Sequence, residues 1–462
     1  MSTIITEDIY NEQEKNDRIS CFFRKFQLGK AVKEAGFYKE KGVRPVELLR
    51  YLFSLVFMNR NLYREVTNNP QQGKGKNTMY RFLSSTAHDW CRLLYCVAMR
   101  AIMLLLPLTS EERENVLIVD DTLYSRNRSK KVDMLTRVYD HNTNSYLKGF
   151  KLLTLAWSDG NTTIPLSYRH LVSTNKKMVI NSLPEDMDKR KKAYKLRKSA
   201  QMKAVDAMFE LLSKLDMKKL KVKYLLFDSW FAFPSVIEKV LSQKLNVICM
   251  LKRMYRVYYS YNGKLYNLDK LYSMVPHGNK KVTVNGKEHC VISSINVNLS
   301  LKEYASPAKI VFLKTNDGNN WVALLSTDTS LSDEEIIRLY SKRWNIEVLF
   351  KTAKHYLRLD TESQSRRFEA IYAQTTIVYL RYIMLAYESR ASQDARTCGD
   401  IFFLVCDEMK DISFLDALDT LLCCFAAQIR EQFVIPEQQI NAFINIFVAN
   451  IPLCFDLRVW ES

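Results

Sequence analysis

The stretch NVLIVD at residues 115–120 is an unbroken apolar run that ends in a carboxylate. An apolar run without polar alternation predicts a strand that is buried on both faces, as in the centre of a parallel sheet. A second such run, KYLLFD at 223–228, also ends in an acid, and a helical segment follows it. If the two strands are parallel neighbours, Asp120 and Asp228 lie at the same edge of the sheet, where α/β proteins bind ligands. The alternative for either residue is an Asp that caps the turn after a strand.

The segments around these two strands alternate between strand and helix. Residues 150–171 predict a hairpin whose turn is Asp159-Gly160, and 185–215 is a basic helical stretch. Residues 246–253 predict one more strand. This order predicts a mixed α/β sheet.

Changes in the predicted secondary structure along the chain divide it into five parts. Segments with Asn-Gly and Asp-Gly turns stand between two helical or α/β regions, which indicates a β-rich insertion. The parts are a helical region at 1–108, the first half of an α/β core at 109–250, the β-rich insertion at 251–328, the second half of the core at 329–390, and a helical C-terminal region at 391–462. The last is a candidate dimer contact.

The first part contains a candidate DNA-binding element. Residues 44–66 predict one helix behind Pro45, a residue favoured in the first turn. A basic loop follows, and a second helix begins at Thr78, with Arg81 near its start as a candidate DNA contact. Plain packing is the more common role of such short helices.

Composition limits the class of protein. The 462 residues include 68 basic and 50 acidic ones, a net charge of +18 that favours a polyanionic partner. A merely basic soluble protein is the alternative. The ten cysteines and six histidines show no C-x-x-C or metal-ligand spacing, which argues against a zinc site. The most apolar run, 98–108, is too short for a bilayer and contains Arg100, so we expect no membrane contact and a cytoplasmic location.

A third acid lies in LYSKRWNIEVLFKTAKHYL at residues 339–357, which predicts an amphipathic helix that begins near residue 333. At 100° per residue, one border of its apolar stripe carries an acid, two bases and a phenol: Tyr340, Arg343, Glu347 and Lys354. The alternative is an ordinary helix with an i,i+4 ion pair worth a few tenths of a kcal/mol.

The spacing Y-x2-R-x3-E-x6-K, together with the strands IVDDT and LLFDSW, resembles bacterial insertion-sequence transposases of the DDE class. The resemblance covers about 110–390. It implies an RNase H-like mixed-sheet catalytic core that a β-rich insertion interrupts, with helical regions at both ends.

The resemblance implies that Asp120, Asp228 and Glu347 bind metal and carry catalysis. Asp120 is preferred to Asp121 because the family pattern is D-x-T, and because adjacent strand residues point to opposite faces. Carboxylate oxygens suit Mg²⁺, with Mn²⁺ as a substitute. Two such ions per site would activate water, and then a 3′-hydroxyl, for attack at phosphorus.

The resemblance also implies DNA contacts. Tyr340, Arg343 and Lys354 would hold phosphates near the cut end, and Trp321 would stack on a base flipped out of the duplex. A core Trp in a strand is an equally good interpretation of Trp321. Further candidate contacts are Lys351 on the same helix and, in the basic stretch 188–203, Lys191 and Lys195. Such a basic stretch is otherwise a solvated helix face.

These observations lead to the expectation of a cut-and-paste DNA transposase. It would bind double-stranded transposon ends through the helical DNA-end-binding region at 1–108, bind target DNA, act as a homodimer, and work in the bacterial cytoplasm at the nucleoid. A structure-specific nuclease on the same core is one alternative, and it would cut without joining. A domesticated DNA-binding regulator is another, against which the three acids argue.

Overall fold

The computed structural model describes most of the chain: residues 17–68, 75–109, 113–140, 143–183, 187–300, 306–315, 320–362, 365–391, 397–432 and parts of 436–446. Contacts between residues divide it into two compact units. The described residues of the first unit come from Met1–Lys33, Tyr38–Met79 and Ala395–Ser462, and those of the second from Glu34–Phe37 and Tyr80–Asp394.

The first unit is helical where it is described. Its helices are α1 (Arg18–Lys25), α2 (Leu28–Glu34), α3 (Pro45–Ser54), α4 (Leu62–Asn68) and the long helix Cys398–Gln432. In its core Phe22 stacks on Phe53 and packs against Phe26 at a tilt. The prediction of one helix over 44–66 is wrong, because the chain turns after α3 and Asn59 adopts a left-handed φ of 52°. Asn tolerates this conformation better than most residues.

The second unit is built on strands from every predicted strand region. They are β1 (Asn115–Ser125), β2 (Thr136–Asp140), β3 (Ser145–Ser158), β4 (Thr163–Leu171), β5 (Val222–Phe227), β6 (Asn246–Leu251), β7 (Tyr258–Tyr261), β8 (Lys264–Asn267), β9 (Lys280–Val284), β10 (Lys287–Asn298), β11 (Pro307–Lys314) and β12 (Trp321–Ser326). Residues 150–171 form the predicted hairpin of β3 and β4.

The helices of this unit lie before, between and after its strands in the chain. They are α5 (Lys76–Ser84), α6 (Trp90–Leu105), α7 (Lys192–Ala200), α8 (Ala204–Leu212), α9 (Met217–Leu220), α10 (Pro234–Leu241), α11 (Leu268–Met274), α12 (Asp333–Ser341), α13 (Asn345–His355) and α14 (Phe368–Ala391). Two 3₁₀ helices, Leu106–Leu108 and Lys342–Trp344, follow α6 and α12.

The described strands join in one sheet with the order β2-β3-β1-β5-β6-β12-β11-β10-β7-β8. Strand β4 also pairs with β3, and β9 with β10. The neighbours β1, β5 and β6 are parallel, whereas the other pairings are antiparallel. The α/β class with a mixed-sheet, RNase H-like core is therefore confirmed.

The strands of residues 251–328 continue this sheet. Strand β12 pairs with β6, with Leu325 opposite Cys249. The sheet thus runs without a break from the parallel strands into the antiparallel ones. The boundaries of the five predicted parts stay predictions.

Two apolar helices cover the other end of the sheet. Helix α6 packs against β4 and α14, and α14 is buried on every side from Phe368 to Tyr387. Among the described residues, Trp90–Leu108 is long and apolar enough to cross a membrane by length and composition, with a mean hydropathy of 1.8. In this fold its apolar stripe, which includes Leu93, Val97 and Ala101, is core.

Candidate active site

The parallel pairing of β1 with β5 brings two of the predicted acids together. Residues 116–119 are fully buried, as predicted for a central strand. Ile118 pairs with Leu226, and the same register two residues further on sets Asp120 level with Asp228. Neighbouring strands lie about 4.8 Å apart, so the two carboxylates are close neighbours at one edge of the parallel strands. Strand β1 continues past the acid to Ser125 because β3 pairs with it that far.

The segment that carries Glu347 is not the single helix predicted over 333–357. Helix α12 ends at Ser341, a 3₁₀ turn occupies Lys342–Trp344, and α13 begins at Asn345. The turn directs two consecutive basic side chains inward: Lys342 and Arg343 are 8% and 9% exposed. A 3₁₀ helix advances about 120° per residue rather than 100°, which changes where Arg343 points.

Lys342 anchors this turn to the β3–β4 hairpin. Its ammonium donates hydrogen bonds to the carbonyl oxygens of Glu114 and Asp159. Its side chain lies against Gly160, where a Cβ atom would come within 3.1 Å of Lys342 Cε, and the φ of Gly160 is +100°. Burial lowers the pKa of Lys342 to about 8. The Asp-Gly turn seen in the sequence therefore helps to position the third acid.

Arg343 connects two of the three acids. Its Nη1 donates to Asp120 Oδ2 at 3.0 Å, and its Nη2 donates to Glu347 Oε1 at 2.7 Å. The side chains of Arg343, Asp120 and Glu347 are 11%, 16% and 36% exposed. The neighbouring Asp121 instead pairs with Lys151 at 3.0 Å, so the two adjacent carboxylates of β1 have different partners.

The electrostatics of the site favour added positive charge. Burial, together with the nearby Asp228, raises the pKa of Asp120 to about 7 even though Arg343 opposes the shift. Burial also raises the pKa of Asp228. Clustered carboxylates behave in this way when their negative charge is incompletely balanced.

The donor set suits a hard divalent cation, although the carboxylates are not gathered around an open position. Among the described residues, no group of three His, Cys, Asp or Glu side chains is arranged to hold a metal ion. Asp120 and Glu347 are instead held by one guanidinium, which stands where a cation would share their oxygens. Carboxylate oxygens are the ligands that Mg²⁺ and Mn²⁺ prefer.

Lys354 and Tyr340 flank this cluster. The Nζ of Lys354 donates to Thr122 Oγ1 at 2.8 Å, so the residue two after Asp120 positions a predicted DNA contact. The ring of Tyr340 lies 5.8 Å from the Arg343 guanidinium, and burial raises the pKa of its phenol. The four residues of the Y-R-E-K pattern thus lie on one side of β1.

Trp321 is engaged with its own neighbours. Its ring stacks on Tyr272 at 4.4 Å with an 18° interplanar angle, and the guanidinium of Arg253 lies 3.8 Å from its centroid. Trp230 is an exposed tryptophan next to Asp228, at 54% exposure, and its backbone N–H donates to Asp228 Oδ1 at 3.0 Å. Lys151 lies 5.2 Å above the Trp230 ring.

Of the other predicted DNA contacts, Lys351 lies on the helix that carries Glu347, and the rest lie on separate elements. Lys351 is exposed on α13, and Arg81 is exposed on α5. Lys191 precedes α7 and Lys195 lies on it, both exposed. Lys195 also lines a cavity of about 390 Å³ with Trp90, Arg169 and Tyr372, among others. These residues are not brought into contact with the acids.

Sequence reasoning missed Lys342, Lys151 and Trp230. Trp230 is part of the LLFDSW motif, but its exposure depends on how the chain turns after β5. Lys342 is in the quoted helix, where a lysine next to an arginine is usually read as surface. Its burial could be found only from the hairpin that receives it.

Comparisons with known families agree with this arrangement. The family described as DDE superfamily endonuclease matches residues 44–266, and the family described as transposase DDE domain matches residues 192–384. The first match contains Asp120 and Asp228, and the second contains Asp228 and Glu347. No curated protein matches the chain.

Proposed function

We propose that this chain, whose residues 44–266 and 192–384 match DDE endonuclease and DDE transposase domains, is the cut-and-paste transposase of an insertion sequence. It binds the inverted repeats at the ends of its element, cuts there and joins the freed ends to target DNA. The observation that supports this most is that Asp120 lies level with Asp228 on the neighbouring parallel strand and shares the Arg343 guanidinium with Glu347.

We propose that these three carboxylates hold two Mg²⁺ ions, for which Mn²⁺ can substitute. DDE proteins generally use divalent cations. When bound, such ions would stabilise negative charge at the phosphate under attack and at its leaving oxygen. The backbone N–H of Trp230 donates to Asp228 Oδ1 and so holds one oxygen of that carboxylate in place.

The basic residues around the acids hold the DNA. Arg343 and Lys354 are close enough to the carboxylates to contact the phosphates on either side of the cut. Lys351 adds an exposed charge on the same helix, and the helical N-terminal part reads the inverted repeat. The net charge of +18 supports a large electrostatic contribution to binding.

Trp230 is a further proposed DNA contact. It is more than half exposed, it lies two residues after Asp228, and Lys151 covers part of its ring. A base displaced next to the cut can stack on such a ring. The proposal that Trp321 takes this role requires its ring to exchange Tyr272 or Arg253 for the base.

An assay for strand joining distinguishes the proposed transposase from a nuclease with the same core. Linear DNA with the two ends of the element, taken from the sequence flanking the gene, is incubated with the full chain, Mg²⁺ and a circular target plasmid. A transposase yields target molecules joined to the 3′ ends. Cutting without any joined product would support the endonuclease, and binding without cutting would support a regulator.

Pairing of two ends requires more than one active site, and we propose that the protein acts as a homodimer at the nucleoid. The C-terminal region 391–462 is the proposed contact. Light scattering with and without end DNA measures the stoichiometry, and a monomer on paired ends would contradict the proposal.

A further inference from the structure

Arg343 occupies a position that the proposed metal ions need. Both of its terminal nitrogens are used, one on Asp120 Oδ2 and the other on Glu347 Oε1. The residue is only 9% exposed, so this contact is part of the packed protein and not a loose surface pair. Two of the three proposed ligands therefore already share one positively charged side chain.

The guanidinium and a divalent cation compete for these oxygens. Mg²⁺ binds carboxylate oxygens at about 2.0–2.1 Å and requires near-octahedral geometry. A guanidinium that donates to the same oxygens repels the ion and restricts the direction from which it can approach. Full coordination by Asp120 and Glu347 therefore requires Arg343 to leave at least one of them.

The surroundings of Arg343 offer it another position. Its guanidinium lies 5.6 Å from the ring of Trp344, which is 62% exposed, and 5.8 Å from the ring of Tyr340. Arginine stacks favourably on aromatic faces, so the side chain can move outward along Trp344 toward solvent. In that position the guanidinium can bind an anion outside the site.

We propose that Arg343 is a displaceable counter-ion: it holds Asp120 and Glu347 in the metal-free protein, leaves them when metal binds, and is then free to grip a DNA phosphate. The inference rests on the proposed metal site. It makes Arg343 a positioning residue that couples two ligands. Because coupling between binding equilibria is reciprocal, DNA strengthens metal binding by the same factor as metal strengthens DNA binding.

Measuring metal affinity in the absence of DNA distinguishes the counter-ion role of Arg343 from a role as a DNA contact only. Mn²⁺ is titrated into the full chain and free Mn²⁺ is followed by electron paramagnetic resonance, a readout that does not depend on cutting. Arg343→Gln removes the competitor, and we expect it to bind Mn²⁺ about tenfold more tightly than the wild type. Arg343→Lys keeps a charge but cannot bridge two acids, so its affinity lies between the two.

Arg338→Gln is the matched control, because it removes one positive charge from α12, five residues away. It should leave the DNA-free Mn²⁺ affinity near that of the wild type. With a short mixed-sequence duplex present, the wild type should gain about fivefold or more in Mn²⁺ affinity, after subtraction of the signal from Asp228→Asn. The Arg343→Gln variant should lose most of that gain.

The outcomes distinguish the two proposals. If Asp228→Asn binds Mn²⁺ as the wild type does, the metal site itself is wrong and the counter-ion role fails with it. If Asp228→Asn loses Mn²⁺ but Arg343→Gln and Arg343→Lys bind it no more tightly than the wild type, the metal site stands and the counter-ion role is overturned. Circular dichroism verifies that each variant is folded.

Discussion

Replacing Asp120 by Asn should stabilise the metal-free protein at neutral and alkaline pH. Asp120 is largely buried, faces Asp228 across the parallel strands and has Arg343 as its counter-ion. Asparagine has nearly the same shape without the charge. We expect Asp120→Asn to abolish catalysis. The same substitution should remove the unfavourable free energy of burying this charge in the folded protein.

The size of the effect follows from the pKa of Asp120, which rises from 3.8 to about 7. Each pKa unit corresponds to about 1.4 kcal/mol, so the ionised carboxylate costs the folded state up to about 4 kcal/mol above pH 7. Between pH 3.8 and about 7 the folded state binds more protons than the unfolded state, so the stability of the wild type falls as the pH rises through this range. Asp120→Asn lacks this dependence.

Thermal melts in EDTA measure the difference. At pH 8 the variant should melt several degrees above the wild type, and at pH 5 the gap should be much smaller. Asp121→Asn is the control, because it is the adjacent residue and loses a partly exposed ion pair with Lys151. That variant should change stability by less than about 1 kcal/mol, and not in the favourable direction.

Two results would refute the reasoning. One is an Asp120→Asn variant that melts at or below the wild type at pH 8. The other is a gain that is larger at pH 5 than at pH 8, since the cost of the charge would then not be its cause.

Three further predictions concern other parts of the second unit. Lys342→Met should lower the free energy of unfolding by about 1–3 kcal/mol in denaturant titrations, because two carbonyl oxygens lose their donor. The lowered pKa of Lys342 makes the wild type more stable as the pH rises from 8 to 10.5, and the variant should lack this rise in stability; an equal rise in both proteins would contradict this. Trp230→Ala should weaken DNA binding about tenfold in fluorescence anisotropy with little change in melting, whereas Trp321→Ala should mainly lower the melting temperature; the reverse pattern would contradict the assignment. Arg381→Met should lower the free energy of unfolding by about 3–5 kcal/mol in denaturant titrations, because Glu362 loses its ion-pair partner in the core. Adding Glu362→Leu should restore part of this stability, and no recovery would contradict the ion-pair explanation.

The parts of the fold that depend on local pattern were predictable. Continuous apolar runs identified β1 and β5, and the Asp159-Gly160 turn identified the β3–β4 hairpin. The expectation that Asp120 and Asp228 share one edge of the sheet depended on the condition that their strands are parallel neighbours. Strands β1 and β5 meet that condition.

The features that depend on tertiary contacts were not predictable. At the 3₁₀ turn Lys342–Trp344, the side chain of Lys342 is buried against the β3–β4 hairpin. A helical wheel considers one helix alone, so it does not include this contact. The same wheel placed Arg343 beside Glu347, but it could not show that the guanidinium also reaches Asp120. Helix α14 has no apolar stripe at all, because it is buried on every side.

DNA cutting by acid-to-amide variants tests the central claim most directly. A plasmid that carries the gene with its flanking DNA is incubated with Mg²⁺ and with the wild type, Asp120→Asn, Asp228→Asn, Glu347→Gln or Arg338→Gln, and strand breaks at the ends are quantified. The wild type and Arg338→Gln should cut, and the three acid variants should fold but leave the DNA intact. Cutting at the wild-type rate by any one of the three would show that its carboxylate does not belong to the active site.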